Sequence, residues 1–115
     1  MMTTEDIVKI YDELVASFPE VDRKGKTMPY TSLNGNMFSF VSKEGSVGFR
    51  LSSEDREWSM QEHESQPMFQ HGREMKEYVE IPLKVLEDQI LLKDLFERSW
   101  EFAQTLKPKP TKKKK

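Results

Sequence analysis

Apolar residues recur along this chain with two different periods. Over residues 5 to 18, Ile7, Ile10, Tyr11, Leu14, Val15 and Phe18 follow the i, i+3, i+4, i+7 spacing of one helix face. Thr3 or Thr4 is placed to cap that helix, Glu5 and Asp6 sit favourably in its first turn, and Pro19 is placed to stop it. The period then becomes two. A short strand is predicted from Tyr30 to Leu33, followed by the hairpin dipeptide Asn34-Gly35. A second strand runs from Met37 to Val41, with Phe38 and Phe40 on one face and Met37, Ser39 and Val41 on the other. Glu44-Gly45 supplies another turn, after which Val47, Phe49 and Leu51 alternate with Gly48 and Arg50. This reads as a meander of antiparallel strands packed on one face.

Ser52 or Ser53 opens a second helix reaching about His63 or Glu64. Its apolar residues are mainly Trp58 and Met60, so it is expected on the surface. Pro67 to Gln70 suggests a short strand and His71-Gly72 a turn. From Met75 to Ile81 the alternation puts Met75, Glu77, Val79 and Ile81 on one face and Lys76, Tyr78 and Glu80 on the other, and Pro82 ends the strand. A last helix runs from about Leu83 or Ile90 to Leu106, with a break expected near Asp88-Gln89. Leu92, Leu95, Phe96, Ser99, Trp100, Ala103 and Leu106 mark its buried face. Residues 19 to 28 read as a polar connection.

The expected fold is α+β: an antiparallel sheet of about four or five strands packed against N- and C-terminal helices in a single domain over residues 1–106. Residues 107–115 are expected to form a disordered lysine-rich tail. The chain length of 115 residues suits one core.

Charge and composition narrow the chemistry. Of the nine residues 107–115, six are lysine, and none is acidic. Without them the body holds 12 Lys and Arg against 20 Asp and Glu, a net charge near −8, so an acidic body carries a basic tail. There is no cysteine, which removes disulfides, thiolate ligands and thiol catalysis. The lack of cysteine and of any apolar run near bilayer length points to a cytoplasmic protein with no membrane contact. The first residues lack the basic start and apolar stretch of a signal peptide.

Three segments together resemble the N-terminal domain of the TfoX (Sxy) competence-regulator family. They are Asn34-Gly35-Asn36-Met37-Phe38, then Phe49-Arg50-Leu51-Ser52-Ser53-Glu54-Asp55-Arg56, then the run from Gly72 through Arg73, Met75, Lys76, Glu77 and Tyr78 to Pro82. The resemblance spans about residues 4 to 106. It implies a stand-alone α+β domain with a regulatory role, and it transfers no catalytic residue and no cofactor.

Candidate sites are few. His63 and His71 lie near Glu62, Glu64 and Glu74, but their spacing matches no established metal-ligand pattern. No Gly-x-Ser-x-Gly elbow and no glycine-rich phosphate loop is present. Arg73, Lys76 and Tyr78 form the leading polar group, with Lys76 and Tyr78 expected on one strand face and Arg73 at the turn before it. They suit an anion or a protein partner, while the plainer reading is a solvated sheet edge. Lys112, Lys113, Lys114 and Lys115 give the tail a charge-driven, sequence-blind affinity for nucleic acid. No aromatic residue is interleaved there for base stacking. The leading expectation is a non-enzymatic regulatory or protein-interaction domain, with an unknown protein partner or a homodimer. The alternatives are nonspecific nucleic-acid association through the tail, and a small-ligand site or enzyme built on His71, Arg73 and Tyr78.

Overall fold

A computed structural model describes residues 3–25 and 28–108. In chain order the elements are α1 (Thr4–Ala16), β1 (Tyr30–Leu33), β2 (Asn36–Val41), β3 (Val47–Arg50), α2 (Ser53–His63), β4 (Gln66–Gln70), β5 (Arg73–Glu80), α3 (Leu83–Leu86) and α4 (Gln89–Thr105). The five strands form one antiparallel sheet in the order β1-β2-β3-β5-β4. The α+β class holds, with α1 and α4 over one sheet face. Among the described residues no helix is long and apolar enough to cross a membrane.

Local chemistry sets the element ends. Thr3 and Asp6 close a capping box at the start of α1, each side chain accepting the other's backbone N–H at 3.1 Å. Ser52 caps α2 by accepting from Asp55 N–H. Asp88 caps α4 by accepting from Leu91 N–H, and this cap is what breaks the last helical stretch into α3 and α4. Asn34-Gly35 and His71-Gly72 have both residues at positive φ, as a two-residue hairpin turn requires.

The side-chain pattern of β2 differs from strict alternation. Thr31 pairs with Ser39, yet Ser32 pairs with Met37, so Phe38 is an extra, bulged residue. The bulge turns Phe38 to the helix side together with Ser39 and Val41, and leaves Met37 and Phe40 on the opposite face. The expected grouping of Phe38 with Phe40 is therefore wrong. Phe38 instead joins a ring cluster around Phe96 of α4, with Phe18, Phe38 and Phe49 at centroid distances of 4.9, 5.7 and 5.5 Å. The β2–β3 ladder ends at Ser39 and Phe49. One step beyond, the Ser99 hydroxyl of α4 donates to the carbonyls of Phe38 at 2.9 Å and Arg50 at 2.6 Å, sharing its one proton. A serine in an apolar helix face thus satisfies two acceptors that the bulge would orphan.

The helix side holds the main core. A second buried polar link lies within it, where the Tyr11 hydroxyl meets Ser39 at 2.6 Å and Ser39 in turn meets Thr31. Burial pushes the Tyr11 phenol up to about 12, against the pull of these hydrogen bonds. The other sheet face carries a smaller cluster: Phe40, Met68 and Tyr78 are buried, with Met28, Tyr30, Met37 and Met75 half-buried around them. Gly48 makes this possible, since a Cβ there would sit 2.8 Å from the Phe40 ring.

The two sheet edges are built differently. Residues before β1 do more than connect: Val21 is buried, and Lys24 exchanges both backbone hydrogen bonds with Tyr30 at 2.8 and 2.9 Å. That bridge closes the outer edge of β1 at Tyr30. On β4, by contrast, no strand lies outside among the described residues.

Candidate interaction surface

Strands β4 and β5 extend past the rest of the sheet. β3 pairs only with Tyr78, Val79 and Glu80 of β5, whereas β4 pairs along β5 from Arg73 to Glu80. The segment around the His71-Gly72 turn is therefore a two-stranded ribbon. An isolated ribbon of this kind is marginal in water and depends on what anchors its base. Here the anchor is Met68 and Tyr78, both buried against Phe40.

The ribbon is irregular where it leaves the sheet. Pairing shifts between Pro67↔Val79 and Phe69↔Glu74, so β5 carries extra residues across from Met68. Two arginines hold this irregularity. Arg56 of α2 donates from Nε to the Tyr78 carbonyl at 3.1 Å and binds the Glu74 carboxylate at 2.8 Å. Arg50 of β3 binds Glu77 at 2.6 Å. Glu74 and Glu77, the two acids of β5 that lie beyond its pairing with β3, are thereby neutralised.

Besides these paired acids and the turn, the ribbon exposes an aromatic ring and two cations. Phe69 is 55% exposed, on the face it shares with Glu74. Arg73 and Lys76 are exposed and make no ion pair among the described residues. Main-chain direction completes the edge. Ile81 N–H bonds Val47 and Leu51 N–H bonds Glu77, so Glu77, Val79 and Ile81 face β3, and Tyr78 and Glu80 face β4. Pro67, opposite Val79, thus turns its main chain outward, and so does Phe69, one residue before the turn-flanking pair Gln70↔Arg73. Proline has no N–H, so of these two residues only Phe69 offers the open edge a donor.

The structure does not bring Arg73, Lys76 and Tyr78 together. Arg73 lies at the ribbon tip beside the turn. Lys76 borders a cleft of about 590 Å³ beside the start of α2. That cleft carries Glu54, Glu57 and Glu77 against Arg56 and Lys76, a poor balance for collecting an anion. Tyr78 is turned inward, and its hydroxyl donates to the Met37 carbonyl at 2.6 Å. Burial pushes its phenol up to about 12, opposed by the Arg50 cation. Met75, expected beside Val79, packs instead with Tyr78, because the register shift reverses the face. His71, Arg73 and Tyr78 therefore do not converge on one cavity.

His71 is exposed in the turn, while His63 packs edge-on against Trp58 at 4.6 Å. No group of three or more His, Cys, Asp or Glu side chains is placed to hold a metal among the described residues. Arg98 stacks 4.2 Å above Trp58 and binds Asp55 at 2.9 Å, tying α2 to α4. Lys112, Lys113, Lys114 and Lys115 lie outside the described residues.

Sequence reasoning missed Phe69 as an exposed ring. The available signal was the run from Ser65 to Gly72, eight residues without a charge in a chain one third charged, with a proline beside two large apolar residues. Comparison with family models, curated proteins and solved structures gave no match to this chain.

Proposed function

We propose that this chain is a non-enzymatic, cytoplasmic regulatory domain that works by binding another protein through the β4–β5 ribbon. The observation that carries this reading is the exposed Phe69 on the same ribbon as Arg73 and Lys76, cations with no ion pair among the described residues, while Glu74 and Glu77 are paired from α2 and β3. Aromatic rings and arginines are the residue types that dominate binding hot spots. A single outward N–H disfavours long strand addition, so the side chains carry the recognition. The TfoX-like motif from Gly72 to Pro82 coincides with this ribbon and supports a regulatory role. No cofactor is required by this reading.

The test is affinity capture from nuclease-treated lysate with the intact chain, a 1–106 form, and a Phe69→Ala, Arg73→Ala double variant. Capture of the same protein by the first two and not the third is the expected result. Capture unaffected by the double substitution would sink the ribbon reading. Nucleic acid retained only by the intact chain in untreated lysate would move the function to the lysine tail.

A further inference from the structure

Among the described residues, the most exposed large apolar side chains outside the ribbon are Ile90, 84% exposed at the start of α4, and Leu83, 49% exposed in α3. Ile90 stands beside a groove of about 410 Å³ between α1 and the α3–α4 corner. Ile10, Leu14, Leu86 and Leu92 form its apolar lining, and Glu13, Glu87 and Lys93 line it with charge. None of those three charges is ion-paired among the described residues. Knob and hole lie side by side, because Gln89 and Lys93 of the groove flank Ile90 on the same stretch of helix.

We infer that this face is the contact between two copies of the chain in a twofold dimer. A twofold contact requires one patch to be complementary to itself, with residue i meeting j and j meeting i. This patch meets that demand in both shape and charge. Each Ile90 enters the partner copy's groove, and each Lys93 meets acidic groups of the partner copy's groove. Burying Ile90 removes from water the most exposed large apolar side chain of the described fold. The contact is separate from the ribbon and stands or falls independently of the proposed function.

Sedimentation equilibrium across a concentration series of the full chain tests it. The wild type is expected at twice the 13.6 kDa chain mass. Ile90→Glu should shift it to chain mass with an unchanged near-UV circular dichroism spectrum, because the side chain packs on little in the single copy and the fold stays intact. Lys93→Glu should weaken the dimer at least tenfold, and adding Glu13→Lys and Glu87→Lys should restore it. Phe69→Ala should leave the dimer intact. A wild type at chain mass throughout, an Ile90→Glu dimer, or a charge exchange that fails to restore association would each overturn the inference.

Discussion

The two ends of the sheet use similar turns to opposite effect. Both are hairpins with a two-residue Asn-Gly or His-Gly turn, the first uncharged throughout and the second charged only on its β5 strand. At the β1 end the chain folds back, Lys24 bridges Tyr30, and Tyr11 and Ser99 reach down from the helices to satisfy Ser39 and the bulged Phe38. At the β4 end the polar fixings come from the sides, through Arg50 and Arg56, and leave Phe69 and the outer strand uncovered. A closed edge is a stability device; an open edge beside an exposed ring is what the proposed interaction would use.

The largest way to break both ends at once is Phe96→Ala. This ring touches Phe18, Phe38 and Phe49, and its removal should cost about 3–5 kcal/mol in urea unfolding. Alkaline pH separates the ends. The Tyr11 and Tyr78 phenols are both raised to about 12 in the fold, so the unfolded chain loses those protons first. Stability should be complete below pH 10 and fall as pH rises from 10 to 12, by up to roughly 2–3 kcal/mol for each tyrosine. Unfolding midpoints of Tyr11→Phe and Tyr78→Phe should each show part of that loss removed, one reporting the closed end and the other the ribbon base. Ser99→Ala leaves the Phe38 and Arg50 carbonyls without their donor and should cost about 1–3 kcal/mol. Hydrogen exchange read by NMR should find the Tyr30 amide protected and the Phe69 amide fast. The smallest effect is on folding itself: Phe69→Ala should change stability by less than about 0.5 kcal/mol while removing partner capture.

The element order and most boundaries were legible in the sequence, because strong periodicity was bounded by Asn34-Gly35, His71-Gly72, Pro82 and good caps. What was not legible were the two irregularities, at Phe38 and across from Met68. A bulge reverses which face later residues occupy, and no local pattern announces it, since the extra residue has the same apolar character as its neighbours. Both errors of face, Phe38 with Phe40 and Met75 with Val79, come from that cause. The same shift parts Lys76 from Tyr78. Ser99 was read as part of an apolar face, but its role as a donor to two strands required knowing where the ladder ends. The polar group singled out in the sequence falls on the segment of the proposed surface, but there Tyr78 is the buried anchor, while Phe69 and Arg73 at the tip are exposed.

The most direct measurement places a benzophenone-bearing phenylalanine at position 69 on the open edge, or at position 32 on the closed one, and irradiates cells expressing each form. The expected result is a discrete crosslink to another protein from position 69 and none from position 32. Equal crosslinking at the two positions, or none from position 69, would contradict it.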